Sequence, residues 1–70
     1  MPRARISNEV RRLRFEHGEM TQQELAARVG CTRQTVIMLE QGRYVPSLAL
    51  ALRIARVFER TVDEIFRLEE

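Results

Sequence analysis

Apolar residues along this chain recur three and four positions apart rather than in alternation. Val10 and Leu13 form one such pair, Leu25, Ala26 and Val29 a second group, and Val36 and Leu39 a third. That is the spacing of a helix face. Between these groups stand Gly18, Gly30 and Gly42, each where a helix would have just ended. Thr21, Thr32, Ser47 and Thr61 stand where the next helix would begin, as N-caps. Thr21 with Glu24 and Thr61 with Glu64 have the spacing of capping boxes. The pattern predicts five helices, over about 7–17, 22–29, 33–41, 47–58 and 62–68. No stretch sustains strand alternation, so the predicted class is all-α.

The fourth helix is different. Leu48, Leu50, Leu52, Ile54, Val57 and Phe58, with three alanines, leave only Arg53 and Arg56 to interrupt an almost wholly apolar segment. A helix apolar all round is buried on most sides. In a small bundle that means the centre, or one core face and one partner face. Val62, Ile65, Phe66 and Leu68 extend the apolar surface. The expected dimer face is therefore Leu52, Val62, Ile65, Phe66 and Leu68.

Length sharpens this expectation. Seventy residues make one domain, 1–70, with a thin core. One cysteine, Cys31, excludes an intrachain disulfide, and one histidine, His17, excludes a structural zinc site. Association with a second copy is the remaining means of support. No metal or other cofactor is expected. No apolar run approaches the ~20 residues of a membrane span. The charged start predicts no secretory leader, and the expected location is cytoplasmic.

Charge adds a pointer. All twelve basic residues are arginine, for which genome composition is the simplest account, and the net charge is +2. Residues 1–44 hold eight Arg against five Glu, leaving +3; residues 45–70 hold four Arg against five acids, leaving −1. The positive end is the one a polyanion would meet. His, Cys and the acids form no recognisable catalytic set. The core is also too small for a pocket of about 300 Å³ or more, so an enzyme is not expected.

The informative segment is 22–41. Two short helices meet at Gly30-Cys31-Thr32, with small Ala26 where they would approach closely. Leu25, Val29, Val36 and Leu39 fill the positions that such a corner needs apolar. This is helix-turn-helix spacing. An ordinary helix hairpin is the plainer alternative.

The run MTQQELAARVGCTRQTVIMLEQGRYVPSLALALRIARVFERTVDEIF resembles the Cro/C1-type (Xre) helix-turn-helix regulators. The resemblance extends from Asn8 to Glu69, and TRQTV, LEQGRYVPSL and RIARVF are its most specific parts. It implies a five-helix, lambda-repressor-like domain that binds operator double-stranded DNA as a homodimer. The family also contains antitoxins, so a protein partner is the second reading. The resemblance further implies that Gln22 binds a phosphate and that Arg14 pairs with Glu40, largely buried. The loop GEMT is one residue longer than in phage repressors, which predicts a slight bulge with Met20 still sealing the second helix.

With Val36 and Leu39 turned to the core, a turn of about 100° per residue puts Gln34, Ile37, Met38 and Gln41 on the opposite face. Arg33 reaches out from the helix start. Arg and Gln can read guanine and adenine edges, and Ile37 and Met38 can touch thymine methyls. These four, Arg33, Gln34, Ile37 and Met38, are the candidate base contacts. The family usually has polar or small residues at 37 and 38, and Met38 filling a gap between helices is the alternative. Arg33 and Gln34 merely solvated is the other.

Candidate phosphate contacts are Gln22, Thr21, Thr35, Gln41, Arg43 and Tyr44. Free N–H groups at a helix start support Gln22. Thr21 is first of all a cap, and the Tyr44 ring could instead cover the core. Cys31 reads as packing, with redox sensing the rival. His17 reads as a helix-end residue. Arg3 and Arg5 belong either to a frayed end or to a basic arm.

Overall fold

Thr21 starts the second helix as its spacing predicts. Its hydroxyl accepts from the Glu24 N–H at 3.0 Å, and the Glu24 carboxylate accepts from the Thr21 N–H at 2.9 Å. The computed structural model describes residues 5–69. Among these, β1 (Arg5–Asn8) leads into α1 (Val10–Glu16), α2 (Gln22–Val29), α3 (Arg33–Glu40), α4 (Leu48–Phe58), α5 (Val62–Ile65) and β2 (Phe66–Glu69). Thr32, Ser47 and Thr61 cap α3, α4 and α5 through their hydroxyls.

The two strands correct the all-α expectation. They pair antiparallel, with Ile6 opposite Leu68 and Asn8 opposite Phe66. The first helix therefore starts at Val10 rather than near residue 7, and the fifth ends at Ile65 rather than near 68. The reason is non-local. The partner strand lies about sixty residues away, so no window of local periodicity contains the ladder. Asn8 locks the start in place. Its amide donates to the Leu39 carbonyl at 2.9 Å, which also accepts from the Gly42 N–H at 3.1 Å, so β1 is tied to the end of α3. Its oxygen accepts from the Val10 N–H at 3.1 Å.

One apolar cluster joins all five helices. Val10, Leu13, Leu25, Ala26, Val29, Val36, Leu39, Ile54, Phe58 and Ile65 are each at most 1% exposed. Met20 is buried and seals α2 from the loop side. That loop carries the expected irregularity, with Gly18 and Glu19 both at positive φ. Gly30 ends α2 at φ +76°, and its N–H and that of Cys31 both donate to the Ala26 carbonyl. A side chain there would have space, but the left-handed backbone favours glycine. Val62 and Phe66 are half-buried against the core, and Ile65 lies within it. Ile65 is thus a core residue, not a dimer-face residue.

The capping boxes make stability acid-sensitive. Hydrogen bonds from the Thr21 and Thr61 N–H groups hold the Glu24 and Glu64 carboxyls below the ordinary carboxylate range. A carboxyl titrating lower when folded stabilises the fold above its unfolded pKa. That contribution is lost as pH falls through the folded value. The thermal midpoint should therefore fall from about pH 5 downward. The Glu24→Gln/Glu64→Gln variant keeps the boxes but cannot titrate there. Its midpoint should fall less over the same pH range, and an identical fall would show that other groups govern it.

Candidate nucleic-acid interface

The functional segment is built on a buried ion pair. Arg14 Nε donates to Glu40 Oε2 at 2.6 Å, and Nη2 donates to Oε1 at 3.0 Å. The side chains are 10% and 6% exposed. Arg14 Nη1 also donates to the Met20 carbonyl at 2.7 Å, tying α1 to the loop before α2. Gln22 Nε2 donates to Glu40 Oε1 at 3.2 Å. One carboxylate on α3 thus fixes α1 and the start of α2 together, and its charge is neutralised before it can oppose a phosphate. A planar, forked guanidinium suits such a bidentate arrangement.

Gln22 is the first residue of α2. One amide hydrogen is taken by Glu40, so the other, with the backbone N–H groups at the helix start, remains for an anion. Thr21 spends its acceptor on the cap and keeps its hydroxyl hydrogen. Thr35 is half-buried and its hydroxyl lies 3.0 Å from that of Thr32, inside the α3 cap. Gln41 and Arg43 are exposed just beyond α3, where Gly42 at φ +73° lets the Arg43 N–H return to the Met38 carbonyl at 2.9 Å. Tyr44 is 38% exposed and outside the core cluster.

On α3 itself, Arg33 and Gln34 are exposed, while Val36 and Leu39 are 1% exposed. Ile37 and Met38 are half-buried and stand outside the core cluster. Of the four residues that helix geometry assigned to the outward face, Gln34 and Gln41 are exposed and Ile37 and Met38 half-buried. Arg33, Arg43 and Arg11 have no carboxylate within ion-pair distance among the described residues, whereas Arg12, Arg14 and Arg60 have one or more.

An open cleft of about 520 Å³ lies between α1, the start of α2 and α3, lined by Arg11, Phe15, Thr21, Gln22, Ile37 and Gln41 beside the ion pair. It exceeds the size expected of any pocket in so small a chain because it is a groove between helices, not a hole in the core. Among the described residues, no three of His, Cys, Asp and Glu converge as metal ligands.

A helix-turn-helix family model matches residues 11–65. The chain belongs to the Cro/C1-type helix-turn-helix family. Among its relatives is an uncharacterized HTH-type transcriptional regulator of Methanothermobacter thermautotrophicus. The two are 58% identical over 62 residues, covering 87% of this chain and 88% of that protein. The uncharacterized HTH-type transcriptional regulator YgzD of Bacillus subtilis is 46% identical over 65 residues, covering 93% of this chain and 97% of its own. A crystal structure of a candidate DNA-binding protein from Bacteroides fragilis superposes with a TM-score of 0.74, covering 89% of this chain and 98% of that one. At 16% identity, this last likeness shows the helix-turn-helix fold alone.

Outside the candidate interface, Cys31 is half-buried, and burial pushes its thiol up, away from the thiolate that a redox sensor needs. It packs against the core. His17 Nδ1 lies 2.9 Å from the Leu13 carbonyl, and its ring meets Phe58 edge-on at 5.0 Å. Arg5 is exposed on β1, and Arg3 lies outside the described residues. No helix among the described residues is long and apolar enough to cross a membrane. Phe15 on α1 and Val45 before α4 are exposed without any prior expectation, and Leu48, in the helix expected to be buried on most sides, is exposed at its start. The helical pitch of α1 from Val10 and Leu13 already turns Arg11 and Phe15 away from the core.

Proposed function

We propose that this chain is a single-domain, cytoplasmic, sequence-specific DNA-binding transcriptional regulator. It docks α3 in the major groove, and as a homodimer it reads a pseudo-palindromic operator. The observation that carries this reading is the outward face of α3. Arg33, Gln34, Ile37 and Met38 stand there without partners in the core, flanked by Gln22 on one side and Gln41 and Arg43 on the other. Arg and Gln supply donors and acceptors for base edges, and Ile37 and Met38 supply apolar contact to thymine. Gln22, Thr21, Gln41, Arg43 and Tyr44 set the register on the backbone. Thr35 contributes only when its hydroxyl turns out of the cap.

Selecting bound sites from random duplex DNA tests this reading. Enriched half-sites ~34–36 Å apart are expected for a symmetric dimer. No enrichment at low salt would sink it. On the selected site, Arg33→Ala and Gln34→Ala should each cost ~1–3 kcal/mol and relax preference at one position. Gln22→Ala should instead weaken all sequences alike. Titrations against single-base variants of the site distinguish the two patterns.

A further inference from the structure

We infer that Arg11 on α1 is a further phosphate clamp, extending the DNA-contacting surface beyond the helix-turn-helix onto the first helix. The inference rests on the DNA-binding reading above and deepens it. Three arginines sit within four residues on α1, at 11, 12 and 14, and their surroundings differ. Arg14 is committed to Glu40 and the Met20 carbonyl. Arg12 is held between Glu9 and Glu16, each at 3.0 Å. Arg11 is exposed, has no carboxylate within ion-pair distance among the described residues, and lines the same cleft as Thr21, Gln22, Ile37 and Gln41. Glu40 also borders that cleft, but both its oxygens are taken by Arg14 and Gln22.

The cleft therefore gathers uncharged donors from two helices and one uncommitted cation. Gln22 at the start of α2 and Gln41 just past α3 bracket a strand of phosphates. Arg11 faces that strand from the third side. A guanidinium there neutralises one phosphate in each bound copy and releases condensed counterions. Such a contact adds affinity and salt dependence without reading sequence.

The test is the salt dependence of binding to duplex DNA, with the full chain and both a selected operator and a random duplex of equal length. Arg11→Gln should lower the slope of log K against log salt by about 0.9 for each copy bound. Between 50 and 200 mM salt, the variant should lose about 3.5-fold less affinity per copy than the parent. Base preference and the thermal midpoint should not change. Arg11→Lys keeps the charge and should retain the parent slope. Arg12→Gln, whose guanidinium is already committed to two glutamates, should also leave the slope unchanged. An unchanged slope for Arg11→Gln, or an equal drop for Arg12→Gln, overturns the assignment while leaving the proposed function standing. A parent protein that binds neither duplex removes the proposed function itself, and this inference with it.

Discussion

Glu40→Ala should lower the thermal midpoint by more than about 12 °C. Arg14, whose side chain is 10% exposed in the parent, would keep only the Met20 carbonyl as a partner. Removing one member of a buried pair costs ~3–5 kcal/mol, because the remaining charge is stranded away from water. A domain of this length has a total stability of roughly 3.5–10 kcal/mol, so the loss is a large part of the whole. Thermal unfolding followed by circular dichroism measures it directly. Glu16→Ala is the control. Its pair with Arg12 is 44% and 55% exposed, where such pairs are worth ~0–1 kcal/mol. A similar small shift for both variants would show that the Arg14–Glu40 pair acts as a surface pair despite its burial.

The network also predicts how far the loss can be repaired. Replacing a buried pair by apolar residues of similar volume is often neutral. Here Arg14→Leu/Glu40→Leu would still orphan the Met20 carbonyl and remove the acceptor of Gln22 Nε2. Recovery should therefore be partial, short by an unsatisfied buried carbonyl at ~1–3 kcal/mol. Met20 is where sequence reasoning stopped short. Its side chain was expected to seal α2, and it does. Its carbonyl as the third partner of Arg14 is a backbone matter that no residue type announces.

Local signals were legible and distant ones were not. Three threonine or serine caps and two glycine stops fix both ends of α2 and α3 and the start of α4 to within a residue. Each of those signals acts within four residues of itself. The outward face of α3 follows from the same geometry, since two core positions orient a rigid helix. The strand pair, in contrast, joins the two ends of the described chain. Phe66 and Leu68 alternate with Arg67 and Glu69, a hint of a strand, but four residues cannot outweigh a capping box that announces a helix just before them. Ile65 was misplaced for the same reason. In a longer helix it would share an outer face with Leu68. Once the backbone turns extended at Phe66, with φ −114° and ψ 141°, Ile65 points inward and its carbonyl accepts from the Glu9 N–H at 2.9 Å.

That shift moves the candidate dimer face. With Ile65 in the core, and Val62 and Phe66 packed against it, Leu52 and Leu68 remain exposed from the original set, at 51% and 59%. Leu48 is 72% exposed and lies one helical turn before Leu52, so the two share a stripe on α4. Leu48→Glu is then the informative change. It introduces a charge on the stripe but removes nothing from the core. As the first residue of α4, a glutamate there also suits the helix dipole. The variant should still fold, with a midpoint that no longer rises with protein concentration, and sediment as a monomer at a concentration where the parent is a dimer. Its affinity for a two-half-site operator should fall 10²–10⁴-fold, the gain that joint engagement of two half-sites provides. Affinity for a single half-site should stay the same, because α3 is untouched. A variant that remains dimeric would move the interface off α4, and a parent that sediments as a monomer would remove the homodimer from the proposed function.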